Sequence, residues 1–216
     1  MINGYSQEVL NQIKDKIISL LRDIHRDGAN IEGLINKLET SDFFYAPAST
    51  KYHNCFAGGL ADHSLNVYYN LKRMIKNKGL EEQIPEESII ICAILHDFSK
   101  INFYEKTIRN KKVYTESGSK HDNLGNYEWV SEESYSVKPE SERFIYGNHE
   151  ETSEFMVRSF IPLTVEESIA ILNHHGGMGF DSIKLKSPIT TLYSKFPLAC
   201  LLHLADMIST YIDESY

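Results

Sequence analysis

Two adjacent residues, His96 and Asp97, close the most apolar run of the 216-residue chain, Ile89-Ile90-Ile91-Cys92-Ala93-Ile94-Leu95. An imidazole lone pair and a carboxylate are donors that first-row divalent cations accept. Inside a core, both groups are costly unless they are paired, hydrogen-bonded or bound to a cation. Residues of the same two types recur at His63, His149, His174, His175 and Asp206. Together they form a candidate ligand set without thiolate, suited to Mn2+, Fe2+, Co2+, Ni2+ or Zn2+.

The elements that must position these residues are mostly helical. A helix ending at His96 is apolar on every side and belongs in the middle of a core. Pro85-Glu86-Glu87 opens it, with proline in the first turn and acids at the positive end of the dipole. A second helix over about 60–77 carries His63 in the apolar stripe of Leu60, Val67, Leu71 and Met74, and Lys76-Asn77-Lys78-Gly79 ends it. Helices are expected at about 150–160, at 164–174 behind the capping box Thr164-Val165-Glu166-Glu167, and at 197–213, where Asp206 interrupts an apolar run. Near the N-terminus, helices are expected over 6–26, capped by Ser6, and over 30–38, followed by an irregular aromatic loop over 41–59. Short β-type runs at 103–106, 111–114, 127–130 and 135–137 predict a hairpin or three-stranded flap inserted among the helices.

The length suits one domain over 1–216, and 42% hydrophobic with 24% charged residues is an ordinary globular composition. The first residues lack the basic and apolar regions of a signal peptide, and no apolar run approaches the roughly 20 residues that span a bilayer. The expectation is a cytoplasmic protein that does not engage a membrane. Cys55, Cys92 and Cys200 are odd in number and far apart, and read as small buried hydrophobes. A formal charge of -8 disfavours long polyanions and affects a small phosphorylated partner less.

Four segments in order, Gly58-Gly59-Leu60-Ala61-Asp62-His63-Ser64-Leu65, Leu95-His96-Asp97-Phe98-Ser99-Lys100, Asn173-His174-His175-Gly176-Gly177 and Leu204-Ala205-Asp206, resemble the motif series of the HD-domain metal-dependent phosphohydrolase superfamily. The Gly-Gly-Leu entry and Asn102-Phe103-Tyr104-Glu105-Lys106 are similar to its phage-type and bacterial members. The resemblance implies an all-α HD-domain bundle with core 55–212, preceded by N-terminal helices and a loop over 1–54 and interrupted by a β insertion over 102–138. It implies one divalent cation on His63, His96, Asp97 and Asp206. A second is implied, bridged by Asp97 and held by His149 and His174, with His175 a further ligand. Cations about 3.5–4 Å apart could share a hydroxide that attacks phosphorus in line with the leaving oxygen. Lys100 is either a solvated lysine or, as the HD-x-x-Lys pattern implies, a catalytic contact to a phosphate oxygen.

The activity so implied is hydrolysis of a nucleotide or similar small phosphate ester. Alternatives are a 3′-to-5′ exonuclease or phosphodiesterase on single strands, disfavoured by charge, and a non-catalytic metal-stabilised binding protein. His203 reads as packing, as a hydrogen-bond partner of a ligand, or as a ligand. Glu150 reads as a proton acceptor, a carboxylate orienter or, most simply, a helix N-terminal acid. His25, His53 and His121 read as surface, loop or packing residues, with contact to substrate the alternative for His53 or His121. Lys106, Arg109, Lys111 and Lys112 read equally as a solvated hairpin edge or as a flap over a phosphorylated ligand. Tyr127, Trp129 and Tyr135 read as cross-strand packing before base stacking.

Overall fold

In the computed structural model, which describes residues 4–176 and 189–214, the chain opens on a helix, α1 (Gln7–Arg22), whose cap Ser6 accepts a hydrogen bond from the Val9 amide. Its buried stripe is Leu10, Ile13, Ile17, Leu20 and Leu21. The helix stops at Arg22 and not at the expected Arg26. Arg26 is drawn off to form a two-pronged ion pair with Glu167, at 2.6 and 2.8 Å, so the chain leaves the helical path before reaching it. α2 (Ile31–Thr40) follows, capped by Asn30.

The loop over 41–58 runs into α3 (Gly59–Lys78), which ends at Gly79 with φ +67°. The glycine pair at its start has a steric cause. Gly58 has φ +91°, and a Cβ on Gly59 would lie 2.1 Å from the Asn54 carbonyl oxygen, so loop and helix meet backbone to backbone. In α4 (Glu86–Leu95) every residue from Ser88 to Leu95 is buried, as an all-apolar helix requires. It packs against α3, α1 and α6, and ends at the His96-Asp97 pair.

A three-stranded antiparallel sheet is inserted next, in the order β1-β3-β2, from β1 (Tyr104–Tyr114), β2 (Lys120–Asp122) and β3 (Gly125–Val137). The runs expected at 103–106 and 111–114 are one continuous strand, as are those at 127–130 and 135–137, and β2 lies in a stretch that read as loop. Residues 131–134 carry no apolar alternation, and none of them is fully buried: Ser131 and Glu133 are exposed, Glu132 and Ser134 half-buried. Polar pairs replace the alternation: Ser131 donates to Asn110 at 2.8 Å, and Arg109 to Glu132 at 3.0 Å. At the root of the sheet the Lys138 amide donates to the Phe103 carbonyl at 3.0 Å.

Helices resume with α5 (His149–Arg158) and α6 (Val165–Leu172), each opened by a reciprocal capping box, Asn148 with Glu151 and Thr164 with Glu167. α7 (Ile189–Lys195), unforeseen in the sequence, precedes α8 (Pro197–Ile208). The expected helix over 197–213 changes winding before its end: Ser209–Asp213 is a π-helical turn. The fold is thus mostly helical with one small sheet. Among the described residues, no helix is long and apolar enough to cross a membrane.

Candidate metal centre

The seven candidate ligands come from five places in the chain and meet around the Asp97 carboxylate. α3 brings His63, the end of α4 brings His96 and Asp97, the first residue of α5 is His149, the turn after α6 carries His174 and His175, and α8 brings Asp206. The two oxygens of Asp97 divide the surrounding imidazoles. Oδ2 stands 3.4 Å from His96 Nε2 and 3.8 Å from His63 Nε2, whereas Oδ1 stands 2.6 Å from His149 Nε2 and 3.7 Å from His174 Nε2. Asp206 Oδ1 lies 3.2 Å from His63 Nε2. Among the described residues, four groupings have donor atoms close enough to share a cation: His63 with His96 and Asp97, His96 with His174 and Asp206, His149 with His174 and His175, and His63 with His53 and Glu214.

The outer nitrogens reveal which way these rings are set. His96 Nδ1 pairs with the Ala93 carbonyl at 2.9 Å, and His174 Nδ1 with the Ile171 carbonyl at 2.7 Å, each three residues back. A carbonyl only accepts, so Nδ1 carries the proton and the Nε2 lone pair points into the cluster. Both Nε2 atoms are buried with no hydrogen-bond partner. A cation satisfies such lone pairs, and the imidazole and carboxylate donor set fits a divalent metal.

Carboxylates hold two other rings from outside. His175 Nδ1 is 2.8 Å from Glu150 Oε1, and His63 Nδ1 is 3.1 Å from both oxygens of Glu214. His149 Nδ1 meets the Ser99 hydroxyl at 2.6 Å, and Ser153 donates to that hydroxyl at 3.0 Å. His203 Nδ1 donates to the His174 carbonyl at 2.7 Å, bracing the backbone of a candidate ligand. Against this ring packs Gly176, at φ +62°; a Cβ there would lie 2.6 Å from the imidazole. Its neighbour Gly177 lies outside the described residues.

Charge is tightly balanced. Burial would raise the Asp97 carboxyl, but Lys100, whose Nζ is 2.7 Å away, together with His96 and His149, holds it well below the usual carboxylate range. Lys100 is itself raised: burial acts against its charge, and Asp97, Tyr104 and Asp206 together outweigh it. Burial likewise opposes the charge on His63, yet Asp206 and Glu214 raise it to about 10, while Asp206 is lowered in return. Burial and neighbouring His175 push His174 down to about 4.

Three participants escaped the sequence reading. Glu214 carries no motif and sits 151 residues from the ring it holds. Ser99 was visible in His-Asp-Phe-Ser-Lys but had no assigned role. His53, read first as a surface, loop or packing residue, lines the central cavity with its ring centroid 4.8 Å from that of His63. Glu150, read most simply as a dipole acid, is buried against His175. His25 and His121 are exposed.

The cluster opens into a cavity of about 710 Å³. Its lining combines the polar groups of Asp97, Lys100, His149 and Asp206 with Tyr52, Phe103, Tyr104, Met207 and Tyr211. Phe103 and Tyr104 make the root of the sheet part of this lining.

A family model described as HD domain matches residues 60–209. No curated protein and no solved structure matches the chain.

Proposed function

The chain belongs to the HD-domain superfamily of metal-dependent phosphohydrolases, and from that premise we propose that it hydrolyses a nucleotide or similar small phosphate ester or anhydride, with one or two divalent cations. His63, His96, Asp97 and Asp206 would hold the first cation, and His149 and His174, with His175 beside them, would hold the second. The observation that carries this reading is the division of the Asp97 oxygens, Oδ2 toward His63 and His96 and Oδ1 toward His149 and His174. That is the disposition of a bridging carboxylate. Bound there, divalent cations lower the pKa of a coordinated water and offset charge building on phosphoryl oxygens.

The chain's own residues do the rest. Lys100 balances Asp97 and extends along the cavity wall as a point charge for a phosphate oxygen. Backbone carbonyls keep the Nε2 lone pairs of His96 and His174 turned inward. The aromatic lining residues Tyr52, Phe103, Tyr104 and Tyr211 give a planar base a surface to stack on. The sheet root keeps water from the part of the cavity it lines.

The test is metal-stripped protein reloaded with Mn2+, Fe2+, Co2+, Ni2+ or Zn2+ and offered nucleoside mono-, di- and triphosphates, bis-p-nitrophenyl phosphate and labelled single strands. Metal-dependent release of phosphate, pyrophosphate or nucleoside is expected. Stepwise shortening of strands with no action on nucleotides would overturn the substrate assignment, and metal binding without any turnover would overturn the activity.

A further inference from the structure

We propose that Glu214 is a positioning residue for the first cation, and that docking of the 209–214 turn onto α3 is coupled to cation binding at His63; this rests on the metal-centre reading above. One short stretch of chain grips the His63 ring at both nitrogens. Asp206 Oδ1 stands 3.2 Å from Nε2, and both Glu214 oxygens stand 3.1 Å from Nδ1. Residues eight apart on a regular α-helix are displaced by about 12 Å along its axis and could not close on one ring. The π-helical winding of Ser209–Asp213, ended by the Glu214 amide donating to the Ser209 carbonyl at 3.0 Å, turns the carboxylate back onto α3. Such turns are concentrated at functional sites.

Amides on α3 latch the turn in place. Asn66 donates to Glu214 Oε1 at 3.0 Å, and Asn70 donates to Ser209 Oγ at 2.9 Å and to Asp213 Oδ2 at 2.7 Å. Arg73 holds the Asn70 carbonyl oxygen at 2.6 Å. Glu214 is only 2% exposed, so its carboxylate is committed to His63 and Asn66.

This arrangement separates His63 from His96 and His174. His96 and His174 give Nδ1 to carbonyls three residues back, and that partner comes with the local backbone. His63 gives Nδ1 to a side chain 151 residues away, so its ligand orientation exists only while the turn is docked. A carboxylate on the outer nitrogen fixes the tautomer and strengthens the inner nitrogen as a donor. Because coupling between two binding events is reciprocal, a cation on Nε2 tightens the docked turn by the same factor that the turn tightens the cation.

The experiment uses the full chain, stripped of metal, with Co2+ as the probe. Backbone hydrogen exchange over 209–214 is measured with and without Co2+, alongside calorimetric Co2+ affinities for wild type, Glu214→Gln and Asn66→Ser. Co2+ is expected to slow exchange across the turn. Glu214→Gln should weaken Co2+ binding by about 10- to 100-fold, and Asn66→Ser by less, a loss read from the Co2+ constant itself and separately from any change in metal-free melting. A merely structural role would shift melting and leave the Co2+ constant unchanged. Wild-type protein that binds Co2+ without slowing exchange over 209–214, or a Glu214→Gln variant that binds it as tightly, overturns this inference alone. Wild-type protein that binds no Co2+ overturns the metal-centre reading as well.

Discussion

Two buried polar networks lie at opposite ends of α4, Glu167 meeting Ser88 at its start and Asp97 following its end, and they are built on opposite principles. Around Glu167, which has no exposure, every contact is closed. Arg26 pairs with both oxygens, Ser88 donates at 2.6 Å, the Thr164 amide donates at 2.8 Å, and Arg26 spends a further N–H on the Pro162 carbonyl. Around Asp97, by contrast, His53, His96 and His174 leave buried ring nitrogens without partners, and the Glu167 network contributes no such atom. Both networks carry the desolvation cost of buried charge. The closed one holds the α1–α2 corner to α6, and the open one keeps donor capacity for something that is not protein.

Replacing residues in each network should therefore give different failures. The largest effect is expected from Asp97→Ala, which removes the shared carboxylate: turnover should fall to background and metal content should drop, with helical circular dichroism retained. Turnover at the wild-type rate would remove Asp97 from the chemistry. In the closed network the loss should appear in stability alone. Arg26→Met strands Glu167 and should cost about 3–5 kcal/mol in urea unfolding. Adding Glu167→Leu should restore most of that, with Co2+ affinity unchanged throughout. A double variant no more stable than the single would show that the ion pair itself carries the stability.

Acid should attack the closed network through Glu167. Burial alone would raise its carboxyl, but the bonds from Arg26, Ser88 and Thr164 prevail and its pKa lies below the ordinary value. A carboxyl depressed in the native state contributes stability that is fully present above its unfolded pKa of about 4.3 and is lost as pH falls below it. The urea midpoint of metal-free wild type should accordingly fall more steeply below that pH than the midpoint of the Arg26→Met/Glu167→Leu protein. Parallel curves would contradict the assignment.

Smaller still is the effect expected at the edge of the open network. Glu150→Ala frees His175 without touching Asp97, and should weaken only the second cation, by about 10-fold. Calorimetry resolving two Co2+ sites would show it, and loss at the first site would reassign Glu150. The exposed sheet supplies the reference for both networks. Arg109 and Glu132 pair at 3.0 Å in solvent, so Arg109→Ala should cost less than about 1 kcal/mol in urea unfolding. A larger loss there would mean that the sheet is not the solvated element its surface suggests.

How much of this could be read in advance depended on local patterning. His63 sits in an apolar stripe, His96 and Asp97 end an apolar helix, and Asp206 interrupts another, so each announced itself by what surrounds it. The capping box at Thr164 was legible for the same reason, being complete within four consecutive residues. Glu214 was not legible, because a carboxylate near a π-helical turn carries no signal until the fold returns it to α3. Glu150 read as a dipole acid because its position at the start of α5 explains an acid without reference to His175. β3 was split in two because strand recognition relies on a buried face, and none of residues 131–134 is fully buried.

The root of the sheet has a consequence for the history of the chain. Phe103 and Lys138 are joined by a hydrogen bond between their own backbones, so the polypeptide leaves the helical body and re-enters it at practically one point. Excision of the intervening segment would leave ends that a tight turn could join. Lineages could thus lengthen, exchange or discard this graft while the imidazoles beneath it keep their places, trading what the mouth admits against a floor that stays fixed.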